Sequence, residues 1–433
     1  MRVLLVSSYE NGHQPLHVAS PAAALAARGH EIRCLDLAVE SWDPALVDWC
    51  DRVAFSVPMH TAMRVALQAA GAVRRQRPDL PICLYGLYAP VSRDLTVGRL
   101  ADRVIAGEYE PALVAWVGGD EADPGLVHLG RGRGSFQVPA RDGLPPLERY
   151  AHLRVGREER LVGYVEASHG CVHMCRHCPV PVVYDGRIRV VGADVVLADV
   201  DQLVAMGAQH ITFGDPDFLN GVKHSLAVVE QMHARFPDLT FDVTTKVEHV
   251  LEHAHVWPAL AAAGCLFVVS AVECLNDDIL RGLDKGHTAE QASAAVALLR
   301  EHGIETRPSL MPFTPWTSED DLRDIFDWVV ANDLIGNVDP VHYTIRLLVP
   351  EGSLALEQMA EHVERYDAEA LSYVWRSPLD PLQRRLAAIA EAGADEPPAN
   401  TFYKLRREVF GDDAQFGAGS VEGRPRMTEP WFC

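Results

Sequence analysis

The sequence predicts an α/β chain in four parts. They are an N-terminal doubly wound domain over residues 1–125, a linker over 126–160, a partial (β/α)6 barrel over 161–350, and a small, mostly helical C-terminal region over 351–433. Three observations predict it. Short apolar runs alternate with helical patterns before residue 125, which is the signature of parallel βαβ units. The alternation returns after residue 161, counted about six times, as a barrel requires. Between the two lies a stretch of little periodicity that carries Gly130, Gly132, Gly134, Pro139, Pro145 and Pro146.

Composition bounds the function. The 433 residues are 48% hydrophobic and 23% charged, ordinary for a globular protein with substantial cores. The 39 basic and 60 acidic residues give a net charge of −21, which argues against a broad phosphate-binding surface, so no nucleic-acid partner is expected. No apolar run reaches membrane-spanning length, and no membrane partner is expected. The opening MRVLLVSSYENG reads as a first strand rather than a signal peptide. Nine cysteines in so long a chain are not a disulfide scaffold, and Cys34, Cys50, Cys83, Cys265 and Cys274 read as small core residues. A reducing cytoplasm is the expected location.

In the N-terminal part the strands fall at 3–7, 32–37, 53–57, 82–86 and 103–106, with helices at 20–28, 61–75 and 91–100. Ligands of such sheets sit beyond the carboxyl ends of the strands. Those ends carry the loops Ser8–His13, Pro58–His60, Leu87–Ala89 and Gly107–Glu110. No G-x-G-x-x-G follows the first strand, which disfavours a dinucleotide.

The barrel opens with a strand at 161–167, followed by Ser168-His169-Gly170-Cys171-Val172-His173-Met174-Cys175-Arg176-His177-Cys178-Pro179. Three thiols spaced C-x3-C-x2-C suit a soft metal centre. A four-iron cluster usually takes four cysteines, so three leave one iron open. Zinc remains an alternative, because His169, His173 and His177 are nearby. Asp185-Gly186 between β-type runs predicts a hairpin over 182–189. A helix at 195–206 ends at Gly207. Strands follow at 210–213, 239–243, 265–269, 305–309 and 343–347, with helices at 226–235, 249–263, 289–301 and 319–331. Polar groups stand at the strand ends: Asp215, Thr244-Thr245-Lys246, Ser270 and Glu273, Arg307 and Ser309, and Arg346. Each has a plainer reading: Asp215 as a helix cap, Glu273 and Lys246 as an ion pair, Arg307 and Arg346 as solvent-facing. His249 and His253 share a helix face without an H-E-x-x-H pattern and read as surface residues.

The cysteine spacing, with His177 in the aromatic place before the last cysteine, resembles the cluster loop of the radical S-adenosylmethionine (radical SAM) enzymes. That resemblance implies a [4Fe–4S] cluster on Cys171, Cys175 and Cys178, with S-adenosylmethionine chelating the open iron. One electron from the cluster then cleaves S-adenosylmethionine and a carbon radical begins the chemistry. Gly214-Asp215-Pro216-Asp217-Phe218 resembles the G-G-E region, which puts Asp215 at the S-adenosylmethionine amino group, although one glycine and the glutamate are replaced. Ser270 and Glu273 match the ribose-binding segment. Arg307 lies on the fifth strand, where a cation can meet the S-adenosylmethionine carboxylate, with Ser309 two residues on, and Met311-Pro312 continue into a loop that can pack on adenine.

The upstream domain resembles the cobalamin-binding domain of the B12-type radical SAM enzymes. Val104-Ile105-Ala106-Gly107-Glu108-Tyr109-Glu110 is similar to its G-E-x-E segment. Ser56, Gly86, Gly107 and Glu108 occupy positions that approach the corrin there, so cobalamin is a candidate cofactor. A D-x-H-x-x-G motif is absent, as in that subgroup, and Leu144-Pro145-Pro146-Leu147 resembles its connector. The plainer reading is a vestigial domain. A methylthiotransferase, whose upstream domain holds three further cluster cysteines in loops, does not match: Cys34 and Cys83 fall in predicted strands and Cys50 in a predicted helix.

The C-terminal region reads as helices at 354–370, 380–392 and 402–410, a loop at 393–400, and a flexible tail from 417. The tail ends in Met427-Thr428-Glu429-Pro430-Trp431-Phe432-Cys433. It resembles the radical SAM subgroup with CUAEP/CCAEP tails, which makes Cys433 a candidate catalytic thiol and implies a selenocysteine codon where the chain stops. The leading expectation is a radical SAM enzyme of specialised metabolism acting on a small molecule by cobalamin-assisted methyl transfer, with a reductase or flavodoxin as electron donor. The alternatives are cobalamin-independent transfer of the 3-amino-3-carboxypropyl group to a soft acceptor such as arsenite, and a non-enzymatic zinc or iron–sulfur binding or sensor protein.

Overall fold

The computed structural model describes residues 1–119, 127–129, 136–411 and 424–429. Strands β1 (Arg2–Ser7), β2 (Glu31–Asp36), β3 (Arg52–Ser56), β4 (Ile82–Tyr85), β5 (Arg103–Gly107) and β6 (Val127–His128) form one parallel sheet in the order β2-β1-β3-β4-β5-β6. Val3 to Val6 are fully buried, as expected of a strand covered on both faces. Helices Leu16–Ala26 and Tyr109–Val117 cover one face, and Pro44–Trp49 and His60–Gln76 cover the other. The order reverses between β1 and β3, and their carboxyl ends frame the crevice where doubly wound folds bind ligands.

The second sheet is built on five parallel strands, β8 (Glu158–Val165), β11 (His210–Phe213), β12 (Thr240–Thr244), β13 (Cys265–Glu273) and β14 (Glu305–Leu310). One edge is extended by antiparallel β7 (His152–Val155) and β17 (Arg426–Met427), giving β14-β13-β12-β11-β8-β7-β17. A short antiparallel ribbon, β9 (Ser168–Gly170) with β10 (Ile188–Val190), leaves the top of β8. A hairpin of β15 (Val363–Asp367) and β16 (Ser372–Trp375) lies beyond.

Several expectations are corrected. The sixth barrel strand is reduced to one parallel bridge, Phe313 with Arg346, because Pro340 starts a 3-10 turn over Pro340–Tyr343 instead. The run expected as a hairpin over 182–189 is a helix, Val180–Tyr184, ended by left-handed Asp185 and Gly186. The strand after it pairs back on β9, closing the cysteine loop at its base. Only Arg93–Thr96 is helical within 91–100. The helix expected over 354–370 gives way to the β15–β16 hairpin, whose turn is set by Asp367 accepting from the amides of Glu369 and Ala370. The tail is docked over 424–429, with Arg426 and Met427 paired to Arg154 and Leu153. Cys433 lies outside the described residues.

The two sheets meet through their carboxyl ends. The loop after β1 runs into the barrel, where His13 packs on the Tyr164 ring with centroids 4.9 Å apart. Arg141, with none of its side chain exposed, clasps Asp199 with two hydrogen bonds of 2.9 and 2.7 Å and donates to the carbonyls of Tyr164 and Gln14. Arg189 on β10 meets Glu108 after β5 at 2.6 Å. No helix among the described residues is long and apolar enough to cross a membrane.

Candidate active site

The cysteine loop sits at this junction. Gly170 enters it at φ +75°, where a Cβ would overlap the Arg187 carbonyl oxygen and stand 2.6 Å from the Tyr184 ring. Only glycine suits that position. Arg176 donates its amide to the carbonyl of Leu283 at 2.9 Å, and Cys178 to that of Cys175 at 3.2 Å. Cys171 and Cys175 are buried, Cys178 is partly so, and all three thiols are free. Burial pushes the Cys178 thiol up to about 12 and raises Cys171 as well. Metal loading must therefore displace thiol protons.

A buried ion network holds the loop to the barrel. Glu273, at the end of β13, receives Lys285 Nζ at 2.9 Å and His177 Nε2 at 3.1 Å. Its backbone is left-handed (φ +65°), beside a shift in the β13–β14 register. That bulge turns the carboxylate toward the loop. Burial alone would raise the Glu273 pKa, but Lys285 and His177 overcome it and hold the carboxyl below its usual range. Burial likewise opposes charge on Lys285, yet Glu273 and the nearby Cys175 and Cys178 sulfurs keep its pKa raised.

The other expected groups are distributed as follows. Asp215 is buried and accepts from the Ala167 amide at 2.9 Å and Ser168 Oγ at 2.6 Å; burial takes it up to about 7. It ties β8 to β9. Ser270 is buried within β13, and among the described residues its hydroxyl has no hydrogen-bond partner. Arg307 is buried against Asp339 at 2.5 Å and donates to the Pro425 carbonyl at 3.0 Å, closing the barrel against the tail segment. Ser309 is half-buried beside Ala271.

At the first sheet, the Ser56 carbonyl accepts from Ser8 Oγ at 2.7 Å, and its side chain is wholly buried. A Cβ on Gly86 would press on Val57, and one on Gly107 would overlap the His128 carbonyl. Both glycines thus answer to their own chain. Arg346 is not solvent-facing in full: it donates to the Trp375 carbonyl and stacks 3.8 Å from the Trp375 ring.

Three groups of residues escaped the sequence reading. Lys285 carries no motif. Glu166, after β8, binds His169 Nε2 at 3.0 Å and His17 Nε2 at 3.3 Å and accepts from Tyr164 at 2.8 Å; its negative charge and that of Glu10 take His17 up to about 9 against burial. His249 is buried rather than on the surface, with Nδ1 2.9 Å from Asp217 Oδ2 and Nε2 3.2 Å from His173 Nε2. A signal existed for the last group, because His249-Val250-Leu251-Glu252-His253 reads H-x-x-E-H.

The donor set fits a cluster with an open position: three thiols in one loop, a buried cation against two of them, and a Ser270 hydroxyl within β13 that has no partner among the described residues. The face expected to meet a corrin is partly filled in this arrangement, with a cavity left between Leu87, Pro90 and Val91 and the loop residues Cys178, Val182 and Val183. Ala106 and Leu87 pack directly on Val180, Val183 and Tyr184 of the cluster-loop helix, and Arg189 occupies Glu108.

Comparison with known proteins agrees with the geometry. Residues 165–329 match the family model described as the Radical SAM superfamily. The chain is 22% identical over 241 residues to tRNA-2-methylthio-N(6)-dimethylallyladenosine synthase of Chlorobium luteolum, covering 51% of this chain and 50% of that protein. It is 23% identical over 334 residues to hopanoid C-3 methylase of Methylococcus capsulatus, covering 71% and 62%. The chain thus spans about half to three-fifths of the length of these curated relatives. Its fold is similar to that of TsrM from Kitasatospora setae, a radical S-adenosylmethionine methyltransferase solved with tryptophan and a SAM analogue. That match has a TM-score of 0.66 and 17% identity, covering 93% of this chain and 88% of TsrM. A [4Fe–4S] cluster and S-adenosylmethionine are the cofactors of this domain. Over residues 165–329 the chain thus carries a domain of the Radical SAM superfamily.

Proposed function

We propose that this enzyme reductively cleaves S-adenosylmethionine at a [4Fe–4S] cluster held by Cys171, Cys175 and Cys178 and transfers a methyl group to a small molecule. The observation that carries the reading is the position of the three-thiol loop where the carboxyl ends of both sheets converge. Hopanoid C-3 methylase and TsrM support methyl transfer, and TsrM has also been solved with cobalamin and a [4Fe–4S] cluster bound. The net charge of −21 favours a small substrate over the tRNA of the synthase relative.

Bound at the loop, the cluster supplies one electron that breaks a carbon–sulfur bond of S-adenosylmethionine. The chain supplies the setting. The thiols give up their protons to hold the metal. Lys285, kept charged by Glu273, places a fixed positive charge against Cys175 and Cys178, offsetting negative charge that builds at the thiolates. His177 pins the loop to Glu273, so the thiols are held in place before reaction. Ser270 offers its hydroxyl to S-adenosylmethionine, and Ala106 and Leu87 pack with the loop helix beside Cys171 and Cys178.

That same packing favours a second reading, in which no cobalamin enters and the 3-amino-3-carboxypropyl group is transferred to a soft acceptor such as arsenite. Expression with B12 supply separates the two. Corrinoid retained through purification, with methylated product, supports methyl transfer. Corrinoid-free protein that consumes S-adenosylmethionine and yields methylthioadenosine supports the second reading. An external reductase or flavodoxin is the proposed electron source for both.

A further inference from the structure

We propose that His173, Asp217 and His249 form a second metal site, for one divalent transition-metal ion of the zinc, iron(II) or cobalt(II) class, beside the cluster loop and independent of its thiols. The three residues come from separate elements. His173 lies between Cys171 and Cys175, Asp217 follows β11, and His249 lies on the helix Val247–Glu252 after β12. One donor atom from each lies within 4.8 Å of the others, and Asp217 and His249 are buried.

The spacing is that of ligands. Bonds of about 2.0–2.2 Å in tetrahedral geometry hold donor atoms roughly 3.3–3.6 Å apart. His173 Nε2 lies 3.2 Å from His249 Nε2 and 3.7 Å from Asp217 Oδ2, which brackets that distance. The hydrogen bonding points the same way. Asp217 Oδ1 is fixed by Thr245 Oγ1 at 2.6 Å and the Leu219 amide at 3.1 Å. Oδ2 is left toward the histidines, with the Lys246 amide at 3.3 Å. Among the described residues His249 Nδ1, buried and 2.9 Å from Oδ2, makes no hydrogen bond of acceptable geometry, so His249 has one nitrogen to offer the ion, Nδ1 on the Asp217 side or Nε2 on the His173 side. Two imidazoles and one carboxylate select zinc-like or iron(II)-like ions over magnesium or calcium, which want oxygen ligands throughout. Outside the trio, Glu248 Oε2 stands 3.7 Å from His173 Nδ1 and pairs with Lys246 Nζ at 3.0 Å. Glu252 and half-buried His253 continue the same donor class toward solvent and give an ion its entry. Three protein ligands leave a coordination position for water or a substrate heteroatom, and the ion clamps the cluster loop to the barrel.

The test uses the full chain, tag-free and anaerobically reconstituted with its cluster, then exposed to Co2+ and desalted. About one cobalt per chain beyond the cluster iron is expected by metal analysis. His249→Ala and His173→Ala should each reduce cobalt at least tenfold. X-ray absorption at the cobalt edge of the unmodified protein carries the test even where a variant misfolds. A nitrogen and oxygen shell at about 2.0–2.2 Å supports the site, and sulfur scattering overturns it. No cobalt above background also overturns it, including where His249→Ala weakens only S-adenosylmethionine binding.

Discussion

Removing Lys285 tests how the loop is held. The Lys285→Met variant leaves the Glu273 carboxylate buried, with His177 as its remaining partner. At 2.9 Å the pair gains about 6 kcal/mol of Coulomb attraction at an effective dielectric of 20, before desolvation. Breaking one side of a buried pair costs about 3–5 kcal/mol. Since 1.4 kcal/mol is about tenfold, the amides of Arg176 and Cys178 should exchange hydrogen roughly 100-fold or more faster in cluster-free protein, wherever loop opening limits exchange. The double variant Glu273→Gln with Lys285→Met removes both charges and should recover most of that loss. The pH dependence has two sides. Glu273, with its folded pKa lowered, contributes fully above about pH 4.3, and the contribution is lost as pH falls through the folded value. Lys285, with its folded pKa raised, contributes fully below about pH 10.4 and loses it as pH rises through the folded value. Unchanged exchange in Lys285→Met, or a double variant no slower to exchange than the single, refutes the reasoning.

Other outcomes follow from the same structure. Single alanine substitutions of Cys171, Cys175 or Cys178 should each abolish the cluster's visible absorption and S-adenosylmethionine cleavage, while far-ultraviolet circular dichroism stays as in the parent. Gly170→Ala forces a side chain into a left-handed position against Arg187 and Tyr184, so iron incorporation should fall, with roughly 1–3 kcal/mol lost from the loop in chemical denaturation. Asp199→Ala leaves the Arg141 guanidinium buried without its carboxylate, at a cost of about 3–5 kcal/mol. Limited proteolysis should then cut between residues 136 and 150 sooner than in the parent.

The parallel strands were legible because they are buried on both faces. Runs such as Leu4-Leu5-Val6 and Val53-Ala54-Phe55 have no polar face to confuse the period. The cysteine loop was legible because its chemistry is local to eight residues. Val182-Val183-Tyr184 was misread because a short apolar run before Asp-Gly suits a strand or a buried helical turn equally, and packing on Ala106 decided for the helix. The β15–β16 hairpin depends on the Asp367 turn and the pairing of Tyr366 with Tyr373, neither of which shows as a period. Lys285 was beyond the sequence reading, because its partner Glu273 lies 12 residues away and only the folded barrel brings them together. His249 carried the H-x-x-E-H signal, but its partner Asp217, 32 residues away, shows only in the fold.

The central claim is that Cys171, Cys175 and Cys178 hold a cluster that cleaves S-adenosylmethionine. Anaerobic reconstitution followed by reduction in the presence of S-adenosylmethionine tests it most directly. The account predicts about four iron per chain, iron–sulfur charge-transfer absorption, and conversion of S-adenosylmethionine to a cleaved nucleoside, 5′-deoxyadenosine or methylthioadenosine. Protein that is fully folded yet shows no cluster absorption and returns S-adenosylmethionine intact contradicts it.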